Sequence, residues 1–109
     1  MAYDETLAVR IRDHLGDDPA IVEKKMFGGV AFMYQGNMAV GTHKDGLMVR
    51  VDPDEHESAL GEAGVREFDM TGRSMKGWVV VDAEAIADDP SLASWIERGV
   101  DYAGSLPPK

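Results

Sequence analysis

Residues 24–51 read KKMFGGVAFMYQGNMAVGTHKDGLMVRV, and the reading of this stretch decides the fold. Three strand-like runs, 24–34, 38–43 and 47–51, are separated by Gln35-Gly36-Asn37 and Lys44-Asp45-Gly46. Short glycine-containing connections between apolar runs signal hairpins, so the stretch predicts an antiparallel meander. Within the first run, Gly28-Gly29 marks a bulge or a close approach of the backbone to a neighbour.

Outward from the meander the apolar period changes from strand to helix. On the N-terminal side Leu7, Ile11 and Leu15 recur every fourth residue beside Ala8, with Asp4 placed to cap the helix and Gly16 to stop it. On the C-terminal side Asp52 is placed to cap a second helix. Pro53 suits its first position, Glu55 completes a capping box, Ala59, Leu60 and Ala63 form its apolar face, and Gly64 ends it. Two further strands are predicted at 66–70 and 76–81, around Thr71-Gly72-Arg73-Ser74. The run Trp78-Val79-Val80-Val81 is apolar on both faces, which predicts a central strand. A last helix starts at Asp89-Pro90, carries Leu92, Trp95, Ile96, Gly99, Val100 and Ala103 as its stripe, and ends before Leu106-Pro107-Pro108. The order is helix, three strands, helix, two strands, helix. It predicts an α+β fold of two layers, a mostly antiparallel five-stranded sheet with helices packed on it.

The chain of 109 residues is expected to be one domain, residues 1–109, with a folded surface of roughly 6,000 Å² by size scaling. Its formal net charge of −9 opposes non-specific attraction to nucleic acid and to anionic membranes. With no cysteine, disulfides, thiolate metal sites and cysteine nucleophiles are excluded. The opening MAYDETLAVRIRDHLG has no apolar run of signal-peptide length, and a soluble cytoplasmic protein is expected.

No pattern of residues makes a catalytic constellation. His56 lies in the acidic run Asp52-Pro53-Asp54-Glu55-His56-Glu57, where Asp52 and His56 share the spacing of metal ligands on a helix. Acids in a first helical turn also serve the cap and the dipole, and no second ligand group supports a metal. The glycine-rich segments Met26-Phe27-Gly28-Gly29 and Gly72-Arg73-Ser74-Met75-Lys76-Gly77 lead into strands rather than helices and match no nucleotide fingerprint. The serines have no elbow motif. No cofactor is expected.

Charge is distributed unevenly. Residues 24–44 and 70–81 contain Lys24, Lys25, Lys44, Arg73 and Lys76 and no acid, so these 33 residues carry +5 and the remaining 76 carry −14. Exclusion of Asp and Glu from strands explains part of this. If the Lys24-Lys25 and Arg73-Lys76 segments meet at one end of the sheet, they form a basic island for an acidic partner or a phosphate. Lys24, Lys25, Gly28, Gly29, Arg73 and Lys76 are therefore the candidate binding residues. Six of the seven methionines lie in or beside the predicted sheet, where Met fills cores and adaptable surfaces.

The segments Lys24-Lys25-Met26-Phe27-Gly28-Gly29-Val30-Ala31-Phe32, Gln35-Gly36-Asn37-Met38, Leu47-Met48-Val49-Arg50-Val51, Met75-Lys76-Gly77-Trp78-Val79 and Tyr102-Ala103-Gly104-Ser105-Leu106-Pro107 together resemble the N-terminal domain of the TfoX/Sxy family, named for regulators of natural competence. The resemblance covers essentially the whole chain in order. It implies a fold like that of secretion chaperones, α-β(3)-α-β(2)-α, and a single-domain member lacking the helical C-terminal domain of the full-length regulators. It implies no catalytic residues. The function it implies is a non-enzymatic transcriptional co-regulator or protein-interaction module. A protein partner is expected, a second copy included, and no membrane; the net charge of −9 disfavours direct nucleic-acid binding, which a local basic island would still allow. A small-molecule or anion-binding domain built on the glycine-rich basic segments is the alternative.

Overall fold

A computed structural model describes residues 5–16, 18–26, 29–43, 46–70 and 73–107. The first amphipathic segment forms α1 (Glu5–Leu15), which buries Leu7, Ala8 and Ile11. Gly16 ends it at φ +66, with its N–H on the Arg12 carbonyl at 2.9 Å. The expected Asp4 cap lies outside the described residues.

Six strands follow: β1 (Ile21–Met26), β2 (Gly29–Tyr34), β3 (Asn37–His43), β4 (Gly46–Arg50), β5 (Val65–Met70) and β6 (Arg73–Val81). They make one sheet in the order β1-β2-β3-β4-β6-β5, with every neighbouring pair antiparallel. The α+β class and the meander are as expected, but the sheet has one strand more than the five anticipated. Met26 pairs with Gly29, so the run read as one strand at 24–34 turns back on itself, and Ile21 and Val22 begin it earlier. No Asn-Gly or Asp-Gly pair announces that turn, which is why it reads as continuous. By contrast, Gln35 at φ 51 and Gly36 at φ 87 supply the two positive-φ residues that a tight type I′ hairpin needs between Tyr34 and Asn37.

The helix predicted after Asp52 is shorter than expected. A 3-10 turn (Pro53–Glu55) leads into α2 (His56–Leu60). Asp52 caps it through the Asp54 N–H at 2.9 Å, and Gly64 at φ +79 swings the chain into β5. After β6, a second 3-10 turn (Ala83–Ile86) precedes α3 (Asp89–Ser105). Asp88 caps α3 by accepting the Ser91 N–H at 3.0 Å.

The main core lies between the helices and one face of the sheet. Val30, Phe32, Val40, Leu47, Val49, Val79 and Val81 meet Leu7, Ile11, Leu92, Trp95 and Ile96 there. α3 lies so close over β3 that a Cβ on Gly99 would stand 2.4 Å from the Ala39 carbonyl oxygen and 2.7 Å from a Val40 methyl. On the opposite face Ala31, Met38, Met48, Phe68 and Val80 form a second, smaller buried cluster, with Met33 and Trp78 packed against it. Met38 and Met48 thus fill a core. Val79, Val80 and Val81 are buried, so the run expected to be apolar on both faces is covered on both. The accessible surface is 6094 Å², close to the roughly 6,000 Å² given by size scaling.

Candidate functional site

The topology separates the two basic segments. Lys24 and Lys25 stand on β1, at one edge of the sheet, while Arg73 and Lys76 begin β6, beside the other edge. Three strands lie between, a lateral separation of about 19 Å at ~4.8 Å per strand. The register separates them lengthwise as well. The row through Lys24 runs across Ala31, Gly41 and Met48 to Val80, so the Lys76 and Arg73 positions fall roughly 13 and 23 Å further along β6. The single basic island expected from charge patterning is therefore not formed, because antiparallel order carries the segments to opposite edges and opposite ends.

Gly29 has a packing role. A Cβ there would meet the Thr42 carbonyl oxygen at 2.5 Å and its hydroxyl at 2.6 Å, and that hydroxyl accepts the Val30 N–H at 2.9 Å. Thr42 occupies the space that a cradled anion would need on that side, so the close-approach reading of this glycine holds. Gly28 lies outside the described residues.

His56, the candidate from the acidic run, is buried and committed to the fold. Its Nδ1 accepts the Gly77 N–H at 3.0 Å, which places the ring proton on Nε2, 3.3 Å from Glu67 Oε1. The imidazole thereby joins α2 to β6 and β5. Its sequence neighbours gave no sign of this, since Glu67 and Gly77 are far along the chain. His14 faces Glu97 at 3.6 Å on the surface. Among the described residues, no group of three or more His, Cys, Asp or Glu is placed to hold a metal ion.

Two clusters were not foreseen. The Arg50 guanidinium sits over the rings of Trp78 and Tyr102, at 5.2 and 5.6 Å from their centroids. Beside it is a cleft of about 290 Å³ lined by Val51, Asp52, Glu55, Arg98, Asp101 and Tyr102. Three carboxylates line this cleft, and Arg98 is already bonded to Glu62 at 2.8 Å and stacked on Trp95, so it is no phosphate cradle.

Pairing picks out the remaining cations. Arg10, Arg12, Arg66 and Arg98 contact Asp89, Glu23, Asp82 and Glu62 respectively. Arg50 has its two rings. Lys24 and Lys25 are exposed, and among the described residues neither makes an ion pair. In a chain of net charge −9 they leave a positive charge on an open strand.

The family model described as the TfoX N-terminal domain matches residues 4–103. The chain belongs to the TfoX N-terminal domain family. No curated protein and no solved structure gives a match. The TfoX N-terminal domain here thus spans all six strands and nearly all of α3. Within it, no helix among the described residues is long and apolar enough to cross a membrane.

Proposed function

We propose that this TfoX N-terminal domain is a cytoplasmic regulatory module that binds a protein partner and performs no chemistry of its own. Membership of a family named for competence regulators, over residues 4–103, carries the reading. It is supported by the way titratable side chains are spent. His56 and Glu67 hold secondary structure together, Asp52 and Asp88 cap helices, and arginine pairs tie α1 to α3 and β1, and α3 to the turn after α2. Among the described residues, this leaves solvated carboxylates and the exposed pair Lys24 and Lys25 for recognition.

Photo-crosslinking in cells tests the proposal. A crosslinker is placed in turn at Val22 on the sheet edge, at Val9 on α1 and at Glu97 on α3. A defined protein adduct that recurs from one position and is missing from the others supports partner binding. Adducts at no position, in cells that express the domain in soluble form, would refute it.

A further inference from the structure

We infer that the outer edge of β1 is a docking strand that takes an extended acidic segment of a partner protein by antiparallel strand addition, an inference that rests on the partner-binding reading above.

The backbone supplies the first part of the argument. Among the described residues β1 pairs with β2 alone, in a register that sets Ile21 opposite Tyr34. Gln35 N–H donates to the Ala20 carbonyl at 2.8 Å, which marks position 20 as turned toward β2. Alternation along an antiparallel strand then turns Val22 and Lys24 the same way and leaves the N–H and C=O of Ile21, Glu23 and Lys25 pointing outward. The Ile21 N–H goes to the Asp18 carbonyl at 3.1 Å, as an outward group would. Glu23 and Lys25 are left with two outward donors and two outward acceptors, the row an added strand uses.

Side chains state which strand fits. Val22 is 53% exposed and shares a face with Lys24, away from the helices. Lys25 lies on the helical face with Glu23, whose carboxylate is held by Arg12 at 2.7 Å. Beside Glu23 a small cleft of about 130 Å³, lined also by Arg12, Leu15, Ile21 and Phe32, gives a place for the side chain standing opposite it. An incoming strand therefore needs a carboxylate opposite each lysine and an apolar residue opposite Val22. A second copy of β1 is a poor occupant. With faces matched, antiparallel self-pairing about Glu23, Lys24 or Lys25 sets identical charges directly opposite each other. Lysines on an open edge also discourage this kind of self-association. The same two charges thus disfavour copies of the chain and favour an acidic strand.

The peptide acetyl-Thr-Glu-Glu-Thr-Val-Thr-amide is the antiparallel complement, with its residues opposite Met26 through Ile21 in that order. It is titrated into the intact, isotope-labelled protein and followed by backbone amide shifts and hydrogen exchange. The expected result is alternating protection, in which the Glu23 and Lys25 amides slow while those of Val22 and Lys24, already bonded to β2, do not change. The double variant K24E/K25E, checked for its fold by circular dichroism, is expected to bind at least about tenfold more weakly. A peptide with Lys in place of both Glu residues is expected not to bind the unmodified protein. Absence of shifts, shifts elsewhere, equal binding of the Lys peptide, or unchanged affinity in K24E/K25E would overturn the inference. Should the peptide fail while crosslinks form from Glu97 or Val9, partner binding stands and the docking strand alone is wrong.

Discussion

Substituting Gly99 by Ala tests how closely α3 is seated on the sheet. On an isolated helix this change is favourable by roughly 1 kcal/mol, because Ala costs less backbone entropy than Gly. Here the new methyl would stand 2.4 Å from the Ala39 carbonyl oxygen and 2.7 Å from a Val40 methyl carbon, against about 3.4 Å for ordinary contact. The nearer obstacle is backbone in an internal strand, so the helix must lift by about 1 Å. A gap of that size forfeits a quarter to a half of the dispersion attraction along the interface. Leu92, Trp95, Ile96 and Ala103 bury themselves from α3, so the loss is shared by the whole stripe. Overpacking of this kind costs ~1–3 kcal/mol, and the upper end applies when the obstacle cannot rotate away. After the propensity gain, G99A is expected to be less stable by about 2 kcal/mol. That corresponds to a melting temperature lower by about 10 °C. Urea denaturation followed by the fluorescence of Trp78 and of Trp95, which lies on the buried face of α3, measures it. G104A on the same helix is the control, because there a Cβ meets only the edge of the Tyr34 ring at 3.3 Å. If G99A proved as stable as the parent, the close seating of α3 on β3 would be wrong.

Removing the His56 side chain leaves the buried Gly77 N–H without an acceptor, so H56A is expected to lose about 1–3 kcal/mol in denaturant titrations. H56N, whose amide oxygen can stand near the Nδ1 position, should recover part of that loss, and equal stability of H56A and H56N would contradict the assigned acceptor. Hydrogen bonds from the Ser91 backbone N–H, then from its hydroxyl, hold the Asp88 carboxyl below its ordinary 3.8. Because the folded-state value is the lower one, the stabilisation is present above pH 3.8 and is lost as the pH falls through the folded-state value. D88A should therefore melt below the parent at neutral pH and converge with it in strong acid, and a gap that persisted in acid would rule the charge out as its cause. The Arg10 guanidinium donates to the Ile86 carbonyl at 2.9 Å and meets Asp89 at 3.1 Å, joining α1 to the start of α3. R10A should cost about 1 kcal/mol, and hydrogen exchange should show the loss concentrated at residues 83–92, with uniform change counting against a local clamp.

Local pattern carried most of the architecture. The fourfold spacing of Leu7, Ile11 and Leu15, the helix-stopping Gly16 and the valine run at 79–81 each act within a few residues of themselves, so the structure repeats what the chain announces. The extra strand stayed hidden because nothing between Met26 and its partner Gly29 carries the Asn-Gly or Asp-Gly signal of a hairpin. For the candidate residues the difficulty was of another kind. Lys24 and Lys25 were legible as a positive pair opening a segment without acids, but whether they met Arg73 and Lys76 depended on strand order, which no local signal encodes. The roles of His56 and Arg50 were equally out of reach, since Gly77, Glu67, Trp78 and Tyr102 arrive from distant parts of the chain.

The seating of α3 also bears on how the molecule is made. Its 17 residues supply the cover for β3 and β4, yet they follow every strand in the order of synthesis. A ribosome adding about 5–20 residues each second releases the complete sheet first. In that interval Val40, Leu47 and Val49 lack the cover of α3, and the nascent chain presents part of its apolar face to whatever is nearby. The long-range closure of Asn37 onto the Pro107 carbonyl forms only when the residues after α3 have emerged. Changes that slow or loosen α3 should therefore show first in cells as aggregation or chaperone capture during translation, before any loss is measurable in the finished protein.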